Sequence, residues 1–157
     1  MKRVLLFVWA VLCVSPLIAA ELPNILFIFT DDQAPWALGL SGYPHAKTPH
    51  MDRLFREGAY LVNAFTTKPV CSPSRAGLMA SRYGTELVIT DWINPRNEPH
   101  HGLDPKTVSW PRLLAKAGYR TGLIGKWHLG TLDKYHPTKF GYQYVTVHTP
   151  NNSFGVG

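Results

Sequence analysis

The run Asn24-Ile-Leu-Phe-Ile-Phe-Thr30, introduced by Pro23 and ended by Asp31-Asp32, restricts the possible folds more than any other stretch of the chain. Its residues are apolar, β-branched or aromatic with no polar alternation. That is the pattern of a strand buried on both faces, and so of a central strand in a parallel sheet. Parallel strands need crossover connections, so helices should alternate with further strands.

The downstream sequence supplies them. Thr48-Pro-His-Met-Asp-Arg-Leu-Phe-Arg-Glu-Gly58 has a cap at Thr48, proline in the first turn, apolar Met51, Leu54 and Phe55 at helical spacing, and Gly58 as a stop. Residues 59–66 read as a second strand. Ser74 to Arg82 reads as a helix after Pro73 with Leu78 and Met79 inward, placing Cys71 at or just before a helix N-terminus, where backbone N–H groups favour anions. Residues 85–107, with Pro95, Pro99, Pro105 and the pair His100-His101, read mainly as a surface loop. Ser109 to Gly118 is a helix, and Tyr119 to Gly125 a strand leading into Lys126-Trp-His-Leu-Gly130. The expected class is α/β, a mostly parallel sheet flanked by helices. Ligands of such sheets sit beyond the carboxyl ends of the strands, where Asp31-Asp32, Lys126 and His128 fall.

The chain opens with MKRVLLFVWAVLCVSPLIAA: basic Lys2 and Arg3, an apolar run from Val4 to Val14, then small Ala19 and Ala20. This is the layout of a signal peptide over residues 1–20, cleaved before Glu21. The apolar run stops at Ser15-Pro16, short of the ~20 residues of a membrane span, so no stable membrane anchor is expected. The expected location is secreted or periplasmic. Cleavage takes Lys+Arg from 16 to 14 against 10 acidic residues, so the formal charge falls from +6 to +4. That mild excess suits an anionic substrate without demanding one, and no basic run with interleaved aromatics points to nucleic acid. About 137 of the 157 residues remain, residues 21–157, enough for one modest domain.

With Cys13 removed in the signal, Cys71 is left without an intramolecular disulfide partner in an oxidising compartment. A free cysteine is ordinarily a small buried hydrophobe. Cys71 instead lies among Lys68, Pro69, Ser72, Pro73 and Arg75, where a nearby cation favours a reactive thiolate. Such a nucleophile wants a histidine, and His128 is the candidate. Asp31 and Asp32 are either a solvated turn or, their repulsion offset by a hard divalent cation, the first of its oxygen ligands. Lys126 and His128 share one side if the extended chain continues through Trp127, where both are able to bind an anion or give up a proton. Each of these residues is also open to an ordinary surface role.

Together they resemble a known family. Cys71-Ser-Pro-Ser-Arg75 followed by Leu78 resembles the first signature of the type I sulfatases, and Gly118-Tyr-Arg-Thr-Gly-Leu-Ile-Gly-Lys-Trp-His128 the second. Pro23 to Gln33 is similar to their opening strand and metal-binding carboxylates, Thr48 to Gly58 to their first helix, and Phe140-Gly141-Tyr142 to a weaker downstream element. The first signature often continues with Thr-Gly-Arg, where this chain has Ala80-Ser81-Arg82.

The resemblance implies an alkaline phosphatase-like core and hydrolysis of sulfate esters. It implies that Cys71 is oxidised to formylglycine by a formylglycine-generating enzyme. It also implies a calcium ion held by Asp31, Asp32 and residue 71. Arg75 would support the charge there, Lys126 would bind sulfate oxygens, and His128 would hold a hydroxyl of the hydrated aldehyde or assist its proton transfers. The substrate would be a sulfated small molecule or carbohydrate, with Trp92 and His100-His101 either touching a sugar or simply solvated. Relatives continue well beyond this length and carry further metal ligands there, so the chain reads as an N-terminal part, incomplete and inactive or nearly so by itself. The alternatives are a non-catalytic remnant with unmodified Cys71, or a phosphatase or phosphodiesterase of the same superfamily, which would use serine or threonine at position 71. Asn151-Asn152-Ser153 fits a glycosylation acceptor.

Overall fold

The computed structural model describes residues 22–148; the expected signal peptide with Cys13, and the triplet at 151–153, lie outside the described residues. Helix α1, Pro49–Glu57, begins with proline in its first turn and stops at Gly58. Its anchoring is polar, contrary to the expected apolar stripe. Asp52 is the buried residue of this helix, while Leu54 is 61% exposed. The Asp52 carboxylate accepts from Thr48 Oγ1 at 2.8 Å and from the Leu40 N–H at 3.1 Å, and Thr48 Oγ1 in turn accepts from the Gly39 N–H at 2.8 Å. These bonds tie α1 to the short 3-10 turn Gly39–Ser41.

Helix α2, Cys71–Ala80, starts at the cysteine itself, after an extended Val70, and ends where Ser81 turns left-handed at φ 53°. Its buried residues Ser72, Pro73, Arg75, Ala76 and Met79 recur at the three-and-four spacing that gives a helix one inward face. Helix α3, Trp110–Lys116, is followed by strand β1, Gly122–Lys126. β1 pairs in parallel with β2, Tyr144–His148, in the register Gly122 to Tyr144 through Lys126 to His148. The connection between them carries two 3-10 turns, Asp133–Tyr135 and Pro137–Phe140. A parallel sheet with helices, as expected, is therefore present as a partial core.

Two expected strands are not formed. Residues 24–30 and 59–66 have no ladder partner, and among the described residues the sheet is two-stranded, β1 beside β2. An apolar run permits a strand, but only a neighbouring edge in hydrogen-bonding reach completes one. Residues 24–30 are held by side chains instead: the Phe27 ring lies 5.7 Å from Trp110, and the Arg75 guanidinium sits 5.3 Å above Phe29. Leu26 and Ile28 remain largely exposed. Between this segment and β1 lies a cavity of about 980 Å³, walled by Ile25, Phe27, Trp110, Leu114, Leu123 and Val145. No helix among the described residues is long and apolar enough to cross a membrane.

The core gathers Ala76 and Met79 of α2, Trp127, Leu129, Phe140, Tyr142 and three residues of the irregular segment 85–107. That segment lacks regular structure, as expected, yet it is more than surface: Ile89, Ile93 and Leu103 are almost completely buried. Trp127 is fixed through its indole N–H, which donates to the Tyr135 carbonyl at 2.8 Å.

Gly141 closes the second 3-10 turn at φ 100°, and a Cβ there would lie 2.3 Å from Cα of Arg112. Gly141→Ala is expected to cost roughly 1–3 kcal/mol through backbone strain and the displaced α3. Urea unfolding measures it, and an unchanged midpoint would show that this approach does not constrain the fold.

Candidate functional site

Three segments distant in sequence converge at the end of β1. Asp31, at the end of the apolar run, accepts from Arg75 Nη2 at 3.1 Å on one carboxylate oxygen and from Lys126 Nζ at 2.7 Å on the other. Arg75 Nη1 also donates to the Lys126 carbonyl at 2.7 Å, so one guanidinium joins α2 to both the carboxylate and the strand end. Lys126 Nζ lies 3.2 Å from Cys71 Sγ. One ligand atom each from Asp31, Asp32 and Cys71 falls within 4.8 Å of the others. Asp32 reaches this position with a left-handed backbone, φ 52°.

The charges support one another. The hydrogen bond from Lys126, helped by Arg75 and opposed by partial burial, holds the Asp31 carboxyl below its ordinary value. For Lys126, burial is the largest single influence and pulls the ammonium down. Its bonds to Asp31 and Cys71 outweigh that together and leave it above its ordinary value. Both groups are thus ionised at neutral pH. Asp31 still has lone pairs to spare, because a carboxylate offers about four acceptor positions. The donor set therefore fits a divalent cation in charge and supplies part of its coordination. Its sulfur is the one ligand a hard cation would not select.

His128 departs from the expectation that it shares a side with Lys126. The extended chain ends at Lys126, and His128 turns left-handed at φ 57°. Its Nε2 is 3.0 Å from the Ile93 carbonyl, its ring lies 6.2 Å from the half-exposed Trp92, and its Nδ1 is buried with no hydrogen-bond partner among the described residues. Burial, chiefly, pushes its pKa down, so the ring is neutral at physiological pH. Arg75 Nε is likewise buried without a hydrogen-bond partner among the described residues.

Two residues at this site carried no sequence signal. Ser72 is fully buried, and its Oγ accepts from the Ile93 N–H at 2.9 Å. Ile93 takes part through its main chain, which every residue type possesses. His100 likewise contributes its carbonyl, which accepts from the Tyr135 hydroxyl, and His100-His101 are not drawn into the cluster around Asp31.

With this arrangement in view, the sulfatase family model matches residues 23–154. The chain belongs to the sulfatase family. Among its relatives, N-acetylgalactosamine-6-sulfatase of Homo sapiens is 37% identical over 144 residues, 87% of this chain and 27% of the human protein. Steryl-sulfatase of Mus musculus is 37% identical over 140 residues, 82% of this chain and 22% of the mouse protein. The crystal structure of Ps i-CgsB superposes with a TM-score of 0.75 at 31% identity, covering 86% of this chain and 28% of that one. The same protein in complex with k-i-k-neocarrahexaose gives 0.71 at 29% identity, covering 81% and 27%. This sulfatase sequence thus spans about a quarter of the length of the curated relatives it matches.

The Asp31 ion pairs generate a pH dependence. A carboxyl whose native pKa is depressed adds stability in full above its unfolded value, and that stability is lost as the pH falls through the native value. Asp31→Asn should therefore lower stability at neutral pH by about 0.2–1 kcal/mol, the scale of partly exposed pairs. The difference from the wild type should disappear on acidification below the carboxylate range, as read by urea unfolding across pH. A difference that grows on acidification would contradict the assignment.

Proposed function

We propose that this chain forms the nucleophile-bearing part of an exported sulfatase that hydrolyses sulfate esters. In this reading Cys71 is converted to formylglycine, and Asp31, Asp32 and residue 71 together hold one calcium ion. The observation that carries it is the convergence of both carboxylates and Sγ of Cys71 within 4.8 Å, with the Lys126 ammonium against the same sulfur. Exchanging that sulfur for oxygen turns a mixed donor set into the all-oxygen set a hard cation selects. The hydrated aldehyde supplies a pair of hydroxyls on one carbon, and the calcium ion supplies positive charge beside the sulfate oxygens.

The chain's own residues then have distinct tasks. Lys126, kept charged by Asp31, binds a sulfate oxygen and orients the ester beside residue 71. Arg75 fixes Asp31 against the end of β1 and adds positive charge close to the site. His128, neutral at Nδ1, is suited to hold a hydroxyl of residue 71 and take its proton. Trp92, half exposed beside His128, offers an apolar face to a sugar ring. A sulfated carbohydrate is the substrate class this favours, in line with the oligosaccharide bound in the Ps i-CgsB complex and the N-acetylgalactosamine-6-sulfatase relative. Residues 1–20 act as the signal peptide, and N-terminal sequencing of the exported protein should begin at Glu21.

By itself the 157-residue chain is expected to turn over sulfate esters little or not at all, since three donors fill about half of the six or more positions a calcium ion takes. The test is to produce it together with a formylglycine-generating enzyme and examine the peptide containing residue 71 by mass spectrometry. Conversion exchanges a sulfur and two hydrogens for one oxygen, and Cys71→Ala abolishes the change. A thiol that still alkylates in full would favour a non-catalytic relative. Incubation of the converted chain with calcium and an aryl sulfate should show negligible release. Robust turnover would overturn the inactivity, and faster release from an aryl phosphate would favour a phosphatase.

A further inference from the structure

We propose that Ser72 and the main chain of Ile93 are positioning residues that fix His128 as the Nε2–H tautomer, so that Nδ1 alone presents a lone pair at the site. The catalytic meaning of this rests on the sulfatase reading; the tautomer itself does not.

A carbonyl oxygen is only an acceptor, so the 3.0 Å contact between Nε2 and the Ile93 carbonyl requires the proton to reside on Nε2. Once Nε2 carries it, the neutral ring has an unprotonated Nδ1, and that atom is buried with no hydrogen-bond partner among the described residues. A neutral imidazole accepts through its unprotonated nitrogen, so Nδ1 is the atom able to accept from a group brought to it.

The carbonyl is reliable as a tautomer lock only if Ile93 is held still, and it lies in an irregular segment without ladder or helix bonds. Two restraints supply the rigidity. The Ile93 side chain is 1% exposed within the core, and its N–H donates to the buried Ser72 hydroxyl at 2.9 Å. Ser72 directly follows Cys71 in the first turn of α2, so the same helical turn that carries the nucleophile position also carries the post that sets the histidine. Trp92 adds an edge-on ring contact that limits rotation of the imidazole. The left-handed backbone at His128 brings the ring round to this carbonyl after β1 has ended.

Nitrogen-15 spectroscopy of the imidazoles in the 157-residue chain tests this, with His128 assigned by the signals lost in His128→Gln. No substrate, metal or modification of Cys71 is needed, so the tautomer and the sulfatase reading succeed or fail separately. At mildly alkaline pH the wild type should show Nε2 in the protonated range and Nδ1 in the unprotonated range, together with a slowly exchanging Ile93 amide. In Ser72→Ala the two imidazole signals should move toward one another, and the Ile93 amide should exchange about tenfold faster, the scale of one lost buried hydrogen bond. Ser72→Thr, which keeps the hydroxyl, should hold the wild-type tautomer. A wild-type His128 protonated on Nδ1, or an unprotected Ile93 amide in the wild type, overturns the proposal whether or not the variants fold. Unchanged His128 signals in a folded Ser72→Ala remove Ser72 from it.

Discussion

The guanidinium of Arg75 is the contact on which the rest of the site depends. It is nearly buried, and it spends its two terminal nitrogens on different elements: one on Asp31, the other on the carbonyl that closes β1. The segment ending in Asp31 has no ladder to hold it beside the strand, so those bonds, the Lys126 ammonium on the same carboxylate and the side chains of residues 24–30 keep it there. A planar fork with fixed geometry suits the task better than a flexible ammonium would, since both acceptors must be met at once. Lys126 then completes the set: with Arg75 it stabilises the ionised carboxylate of Asp31, and Asp31 in turn helps keep Lys126 charged.

Much of this site was legible in the sequence because it is built from residue types. Asp31, Asp32, Cys71, Arg75 and Lys126 stood out by their chemistry and do come together, and helices α1, α2 and α3 and strand β1 form near their expected positions. The strands at 24–30 and 59–66 were misjudged for a physical reason: apolar composition reports the burial a segment wants, whereas a ladder depends on which edge lies beside it. The role of segment 85–107 was hidden similarly. Its prolines and polar residues marked irregular backbone correctly, but irregular backbone pinned at Ile89, Ile93 and Leu103 is as much core as any helix face. For His128 the condition attached to the expectation, an extended chain continuing past Lys126, is not met, because the backbone turns left-handed at that residue.

Helix α1 shows the same limit from the other side. Its boundaries followed from Pro49 and Gly58, whereas its inward face did not follow from its apolar residues. A buried carboxylate with hydrogen bonds from Thr48 and Leu40 organises that end of the molecule, and period alone does not distinguish a satisfied Asp52 from a solvent-facing one.

The arrangement also explains why two signatures so far apart in sequence behave as one unit. The first places Cys71 and Ser72 in one helical turn; the second places Lys126 and His128 on either side of the anchored Trp127. Lys126 meets the first signature directly, through Sγ of Cys71. His128 meets it indirectly, through a main-chain residue of a segment that belongs to neither motif. Ile93 accepts from the imidazole with its carbonyl and donates to Ser72 with its N–H, so the backbone of one residue bridges the two motifs. Side-chain identity at position 93 has to satisfy only the core, while the chemistry passes through backbone atoms that substitution leaves in place.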